Sequence, residues 1–219
     1  SRDNSTAENH ATIYTISESP LDANTIWVGS DDGKVHITRD AGKTWADLTG
    51  KLKNTPKGAW ISRIEASPHD AATAFVTIDD HRRGDFNTYV LVTRDFGASF
   101  TALNVSGVEG YAWVIKQDPA QANLLYLGTE FGLFISLDSG NQWTRFSENL
   151  PRVAVHDLYI HPREHDLIVG THGRGIYIID DLTPLRALTP NILAQELAVL
   201  HSRPGIQAAG VSLQEFGGD

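Results

Sequence analysis

The sequence contains neither cysteine nor methionine, and its basic residues are not clustered. Without cysteine, a disulfide framework and a thiolate metal site are both excluded. The formal net charge of -9 disfavours nucleic acid as a partner, because phosphate binding needs grouped lysine and arginine. No apolar run approaches the roughly 18 residues that a membrane-spanning helix needs. An apolar content of 41% is instead typical of a globular domain.

An eight-residue pattern recurs three times along the chain. "TRDAGKTW" at 38–45, "TRDFGASF" at 93–100 and "SLDSGNQW" at 136–143 share the order Ser/Thr-x-Asp-x-Gly-x-x-aromatic, and we call this pattern the octet. Successive octets begin 55 and 43 residues apart. A repeat of about 40–50 residues is the length of one four-stranded propeller blade.

A proline marks a fourth repeat in addition to the three with octets. Between these prolines, each repeat consists of short β-branched and aromatic segments bounded by Gly, Asp, Asn and Pro, which indicates strands. We therefore predict an all-β chain that folds as a β-propeller of four four-stranded blades within residues 1–183. The prolines are Pro20, Pro68, Pro119 and Pro162, and the predicted blades span about 10–54, 60–108, 111–150 and 153–183.

The octet falls where the third strand of a repeat turns into the fourth. An aspartate there accepts hydrogen bonds from the N–H groups of the turn, and the glycine permits a positive φ. The aromatic residue is expected to pack between sheets. Because a catalytic aspartate is not needed three times, we interpret the octets as scaffold, and we expect Asp→Ala variants to lose stability but not ligand affinity. The scaffold residues are Asp40, Gly42, Trp45, Asp95, Gly97, Phe100, Asp138, Gly140 and Trp143.

The octets resemble Asp-box repeats, also called bacterial neuraminidase repeats, of sialidases, two-propeller xyloglucanases and sortilin-type receptors. "LLYLGTEFGLFISLDSGNQW" and "DLIVGTHGRGIYIIDDLTPLR" also resemble large exported bacterial proteins with sortilin-like propeller repeats, often labelled glycosyl hydrolases. The resemblance covers roughly residues 10–190 and implies six to eight blades, with the ligand on the face away from the Asp boxes. It also implies a secreted or periplasmic location in a bacterium. The fourth repeat departs from the pattern, since Asp180 and Asp181 are followed by no octet glycine.

The two ends of the sequence differ from the repeats. Residues 1–10 are polar, and we expect them to be the tail of something upstream, with the four blades forming part of a larger ring. Residues 184–219 are expected to form a C-terminal extension that leads to a further domain. A short helix is predicted at 190–200, with Thr189 as its N-cap and Pro190 as its first residue.

Candidate ligand-binding residues lie in the loops of the face opposite the octets. The loop "DDHRRGDF" carries mixed charge that could pair an acid with a base or bind an acidic group, or could be a solvated loop with internal ion pairs. "THGRG" at 171–175 could bind a ligand or simply close the blade. Aromatic residues near the central opening of the propeller, Trp113 among them, could stack on sugar rings or pack in the hydrophobic core. The candidates are His81, Arg82, Arg83, Asp85, His172, Arg174, Trp60 and Tyr111.

No catalytic constellation is marked by spacing. A glycosidase needs two carboxylates about 5–10 Å apart, and the weak candidates are Asp79, Asp80 and Glu130, with Asp32 as a further carboxylate. A sialidase needs three converging arginines, which spacing does not assign to Arg83, Arg152 and Arg174. The intervals of His156, His161 and His165 suit a metal site on a helix rather than on a strand, so neither a metal nor a cofactor is predicted.

Two functions remain open at this stage. The first is a binding or scaffold propeller of an exported protein that recognises a glycan or a peptide at its mouth. The alternative is a glycoside hydrolase, sialidase-like or xyloglucanase-like, whose active site is shared with missing blades. In both cases the expected partners are a glycan or peptide and the remaining blades, in the same protein or another chain. Neither a nucleic acid nor a membrane span is predicted.

Overall fold

The computed structural model describes residues 11–204 and contains four antiparallel sheets that follow one another along the chain. Within each sheet, every strand pairs with the strand before it, which is the order of a propeller blade. The strands are β1 Ile13–Ser19, β2 Asp22–Ser30, β3 Val35–Thr38, β4 Ala46–Asp47, β5 Trp60–Ala66, β6 Ala74–Asp80, β7 Asp85–Thr93, β8 Thr101–Ala102, β9 Ala112–Gln117, β10 Leu125–Thr129, β11 Gly132–Ser136, β12 Thr144–Phe146, β13 Val155–Ile160, β14 Leu167–Thr171 and β15 Ile176–Ile179.

The all-β, four-bladed propeller fold predicted from the repeats is confirmed. The last sheet has three strands among the described residues, β13 to β15, where the sequence has no octet to turn the chain into a fourth strand. Short 3₁₀ turns lie at Thr49–Lys51 and His81–Arg83. In the described part of the chain, no helix has the length and apolar character needed to cross a bilayer.

Two helices of one turn each follow the last sheet, α1 Thr183–Arg186 and α2 Pro190–Leu193. The Nε atom of Arg186 lies 3.0 Å from both carboxylate oxygens of buried Asp118, so α1 is held against the third sheet. Helix α2 begins at Pro190, and Thr189 Oγ1 accepts a hydrogen bond from Ile192 N at 3.3 Å. The predicted extent of 190–200 was wrong, because α2 ends at Leu193. Residues 205–219 of the predicted extension lie outside the described residues.

The core consists of three apolar layers, each formed by facing surfaces of two neighbouring sheets. Since both faces of an inner sheet meet another sheet, consecutive residues of the strands are apolar, and they alternate between two layers. In the second sheet, Val76 belongs to the layer shared with the first sheet, and its neighbour Phe75 belongs to the layer shared with the third.

Glycines let neighbouring sheets approach closely near the inner strands. A Cβ atom on Gly29 would lie 2.5 Å from the Ile61 side chain, and one on Gly128 would lie 2.6 Å from the Val155 carbonyl oxygen. The close approach also permits hydrogen bonds between sheets: Thr15 Oγ1 accepts from Ile64 N at 3.1 Å. The inner strands β1, β5, β9 and β13 therefore lie side by side around one axis.

Each octet forms the turn between the third and fourth strands of its sheet. In the third octet, the Ser136 hydroxyl accepts from Gly140 N at 2.8 Å and donates to Asp138, whose carboxylate accepts from Gln142 N at 2.9 Å. The first two octets repeat these contacts with threonine in place of serine. Ser139, before the glycine, also has a positive φ of 61°, as do Ala41 and Phe96 at that position.

The octet aromatics differ in their surroundings. Phe100 packs on the layer between the first two sheets, and Trp143 packs on the next layer and donates its indole N–H to Asn104 O at 2.8 Å. Trp45 is 45% exposed, so the expectation that it packs between sheets was wrong for the described residues. The reason is that Trp45 lies on the face of the first sheet that no other described sheet covers.

We predict that Ser136→Ala lowers the free energy of unfolding by about 1–3 kcal/mol, because buried Gly140 N loses its acceptor. Urea unfolding of the two proteins measures the change. Exposed Ser147, in the same blade, provides the control: Ser147→Ala should stay within about 0.5 kcal/mol of the parent. Equal stability of the Ser136→Ala variant and the parent would contradict this account of the turn.

A second prediction concerns the stability of the first octet turn at acid pH. Hydrogen bonds from the Thr44 hydroxyl, then Thr44 N–H and the Thr38 hydroxyl, lower the pKa of Asp40 to about 2. Because this value is below the unfolded-state pKa of about 3.9, the stabilisation is fully present above that pH and is lost as the pH falls towards 2. The stability difference between the parent and Asp40→Asn in urea should therefore shrink from pH 5 to pH 2.5. A difference that stays constant would disprove the linkage.

Candidate functional site

The candidate site lies at the end of the propeller opposite the octets, which we call the mouth. Because the strands are antiparallel, the β2–β3, β6–β7, β10–β11 and β14–β15 loops and the connections between sheets all emerge at this end. The inner strands begin there. Side chains at the start of β1, β5, β9 and β13 therefore converge on the axis.

Every inner strand has a β-bulge at the same place, six residues before the repeat proline. In β13, for example, Val155 pairs with Thr171 and Asp157 pairs with Gly170, which leaves His156 out of the ladder. A bulge of this kind re-aims the side chain of the extra residue, and bulges are frequent next to functional sites. The extra residues of the four strands are Tyr14, Ser62, Trp113 and His156.

Rings from all four sheets form a continuous row, which we call the mouth row: Tyr14, Trp60, Trp113, His156 and His172. Their centroids are 4.4 Å apart for Tyr14 and Trp60, 6.2 Å for Trp60 and Trp113, and 4.1 Å for Trp113 and His156. His156 stacks on His172 at 5.1 Å. In the second sheet the ring comes from Trp60, since the bulge residue Ser62 donates to Ala112 O at 2.9 Å and joins β5 to β9.

A second group of rings branches from Trp113. Tyr111 lies 5.4 Å from Trp113, and His81 stacks on Tyr111 at 4.5 Å with an interplanar angle of 15°. Phe86, which is exposed, lies 6.3 Å from Tyr111. The structure thus brings His81 from the β6–β7 loop and His172 from the β14–β15 loop to one continuous cluster.

The two carboxylates of this cluster are both used as hydrogen-bond acceptors. Glu130 Oε2 accepts from the Tyr111 hydroxyl at 2.8 Å and from Trp113 Nε1 at 3.3 Å. Asp79, whose side chain is 1% exposed, lies 2.7 Å from His81 Nδ1 and accepts from His81 N at 2.9 Å. These contacts fix the orientation of Tyr111, Trp113 and His81. Asp79 is thereby paired with His81, whereas both contacts of Glu130 are made by its Oε2 atom.

Burial controls the protonation of the rings. Burial first, and then the hydrogen bond to Glu130, raises the pKa of Tyr111, so this phenol stays protonated and donates at neutral pH. Burial first, and then the neighbouring His172, lowers the pKa of His156, so its imidazole is neutral at pH 7. The Tyr111 phenol and the His156 imidazole are therefore both uncharged at neutral pH.

The remaining residues of the β6–β7 loop divide between the mouth and internal contacts. The Arg82 guanidinium lies over the Trp60 ring, 4.3 Å from its centroid. Arg83 instead binds Asp80 at 2.5 Å and donates to Lys57 O at 2.8 Å. Asp85 accepts from the Tyr89 hydroxyl at 2.8 Å and from the backbone N–H and side-chain amide of the residue two positions on. Arg83 and Asp80 are thus paired within the loop region, and Asp85 is held by neutral donors.

The three arginines considered for a sialidase site have separate surroundings. Arg83 binds Asp80, whereas Arg152 binds Glu109 at 2.7 Å and lies over another ring, that of Phe131. Arg174 is exposed in the β14–β15 loop and forms no ion pair with a described residue. This arrangement does not resemble a clamp for one carboxylate.

The histidines considered for a metal site lie at the two ends of β13. His156 belongs to the mouth row, whereas His161 Nδ1 accepts from Glu164 N at 3.0 Å in the turn at the opposite end. Within residues 11–204, no group of three His, Cys, Asp or Glu side chains is arranged to hold a metal ion.

Sequence reasoning missed Tyr14 and assigned His156 only a metal role. The available signal was position, since Tyr14, Ser62, Trp113 and His156 each stand six residues before the repeat proline. Nothing in the local sequence marks a bulge there. The bulge becomes visible only when β1, β5, β9 and β13 are paired with their neighbours.

Comparisons with known proteins show the fold. No family model and no curated protein matches the chain. The GH74 xyloglucanase from Xanthomonas campestris superposes with a TM-score of 0.65 and 16% identity, over 77% of this chain and 29% of that one. YCF48 bound to a D1 peptide gives 0.56 and 17%, over 77% and 55%. The extracellular domain of a hybrid two-component system protein from B. thetaiotaomicron gives 0.56 and 17%, over 80% and 22%.

At these identities the likeness establishes a β-propeller fold and nothing finer. The chain spans between about a fifth and about half of the length of these solved structures.

We predict that His172→Gln raises the pKa of His156, because one of the two causes that lower it is removed while burial remains. A titration of the imidazole signals by NMR measures the shift. His161→Gln serves as the control, since His161 lies at the other end of β13, and it should leave the His156 pKa unchanged. A His156 pKa that is unchanged or lower in His172→Gln would contradict the stacked arrangement.

Proposed function

We propose that this chain is the ligand-binding part of a β-propeller and that its mouth holds a glycan or a peptide. The observation that carries the proposal is the mouth row, in which four neighbouring sheets present rings around one axis. Tyr and Trp rings give large, rigid contact surfaces with a polar edge, which suits sugar rings and peptide side chains alike. Tyr14 is 51% exposed and His172 is exposed, so a ligand has access to both ends of the row.

Hydrogen bonding at the mouth favours binding over hydrolysis. Asp79, Asp80 and Glu130, the candidate catalytic carboxylates, each bind a neighbouring side chain of the protein. A glycosidase pair needs one carboxylate that can protonate a leaving group and one that can act as nucleophile or base. The alternative, a glycoside hydrolase using paired carboxylates, is supported by fold likeness to a xyloglucanase alone. The binding function is therefore the one that the geometry supports best.

The remainder of the proposal rests on resemblance. The octets have the pattern of Asp-box repeats, and longer stretches resemble sortilin-like propellers of exported bacterial proteins. We therefore place the chain in a secreted or periplasmic protein, with the octets as scaffold. The extracellular domain from B. thetaiotaomicron, one of the similar folds, supports such a location.

The test is binding of the chain to arrayed oligosaccharides and arrayed peptides, followed by titration of the best ligand. Tyr14→Ala should weaken binding about tenfold, which corresponds to about 1.4 kcal/mol, and His172→Ala should weaken it similarly. Tyr159→Ala is the matched control, because Tyr159 is also 51% exposed but lies away from the mouth row. Affinity that is equal in Tyr14→Ala, His172→Ala and the control would overturn the proposal.

A hydrolysis assay on the same oligosaccharides separates the two functions. Release of reducing ends that Glu130→Gln abolishes, with ligand affinity retained, would establish the hydrolase instead. Binding without turnover supports the proposal, and the bound array identifies the ligand as glycan or peptide.

A further inference from the structure

The first sheet has an apolar face without a partner among the described residues, which we call the leading face: Ile13, Ile16, Val28, His36 and Trp45. Strand register identifies the equivalent positions of the second sheet, since Val28 pairs with His36 as Val76 pairs with Leu91. The equivalents are Ile61, Ile64, Val76, Leu91 and Phe100, and all of them pack against the first sheet. Ile13 and Ile16 are 59% and 66% exposed, whereas Ile61 and Ile64 are each 1% exposed.

The octet glycines show what covers this face in the other sheets. A Cβ atom on Gly97 would lie 2.2 Å from Leu48, and one on Gly140 would lie 2.8 Å from Leu103. Leu48 and Leu103 each stand three residues after the octet aromatic of the preceding sheet. A leucine from the outer edge of one sheet therefore packs directly on the octet glycine of the next.

Gly42 is the member of this series that is open. Around its Cβ position, the nearest side chain is that of Trp45, 3.9 Å away. Beside it, Ile13, Val28, His36 and Trp45 line an open cavity of about 340 Å³. The leading face thus has the shape of one half of an interface whose complete form occurs twice along the chain, at Gly97 and at Gly140.

We propose that a further four-stranded blade in the same polypeptide as β1 covers the leading face, with a leucine or similar aliphatic residue seated against Gly42. That residue stands three positions after the octet aromatic of the added blade. The inner strands β5, β9 and β13 each follow a connection that arrives at the mouth, and β1 starts at the same end, so the same connection serves the proposed blade. This inference does not depend on the proposed function.

A second copy of the chain fits less well. The free face of the last sheet is also apolar, with Ile176 and Ile178 72% and 58% exposed. That sheet has three strands among the described residues, so it has no counterpart of Leu48 to fill the cavity beside Gly42. Packing of a copy would cover the inner part of the leading face and leave Gly42 open.

The test extends the full chain by one blade of known sequence. Residues 60–109, the second blade, are repeated ahead of Ala11, so that the added copy of Leu103 can reach Gly42. The measurement is acrylamide quenching of Trp45, obtained as the difference between each protein and its Trp45→Phe variant. We expect Trp45 quenching to fall in the extended chain to the level of half-buried Trp143, its equivalent in the third sheet, and binding of a hydrophobic dye to fall with it.

A matched control carries Leu103→Asp and Val92→Asp in the added blade only, and it should leave Trp45 as exposed as in the original chain. Gly42→Ala gives a second readout that is independent of fluorescence. The strain of an alanine at the positive φ of 87° is the same in both chains. A larger loss of stability in the extended chain would therefore report contact between this alanine and the added copy of Leu103.

Two results would overturn the inference. In the first, Trp45 is quenched equally in the extended and original chains, and Gly42→Ala costs the same stability in both. In the second, the original chain forms a stable dimer that already protects Trp45 and that Ile16→Glu dissociates. That outcome would assign the leading face to a second copy.

Discussion

Packing of one sheet face on the next is the interaction on which the other features of this molecule depend. The strands of the two inner sheets are apolar on both faces, so packing on the neighbouring sheets stabilises them, and the small residues Gly29 and Gly128 let those neighbours come close. Close approach brings the four inner strands around one axis. The rings of Tyr14, Trp60, Trp113 and His156 touch because of that spacing, since these four rings come from four different sheets.

The two ends of the propeller use carboxylates in the same way for different purposes. At the octet end, Asp40, Asp95 and Asp138 accept hydrogen bonds from the N–H groups of their own turns and stabilise the sheet edges. At the mouth, Glu130 and Asp79 accept hydrogen bonds from ring side chains and fix the orientation of those rings. Both sets are held in place by hydrogen bonds from the protein itself.

The fold could be predicted from sequence because its signals are local and repeated. They are short apolar segments, an octet whose Asp and Gly are typical of a turn, and a proline that recurs once in each repeat. The site could be predicted only in part. His81, Tyr111 and Trp60 were found through their loops, but the mouth row needs the bulges, and a bulge is a mismatch between two strands that neither sequence shows alone. The positive φ of the residue before each octet glycine was also missed. Ala41, Phe96 and Ser139 occupy that position, and their side chains share no property that would indicate it.

The shared bulge has a consequence for how such a protein can diversify. One repeat unit carries both the packing surface that joins it to its neighbours and one position that faces the axis. Duplication of a unit therefore adds one interchangeable side chain near the axis without a change in the packing surface. Substitution at that single position, as between Tyr14, Trp113 and His156, changes the chemistry of one sheet only. The chemistry near the axis can therefore be altered by single substitutions in the inner strands, while the residues that pack the sheets together stay unchanged.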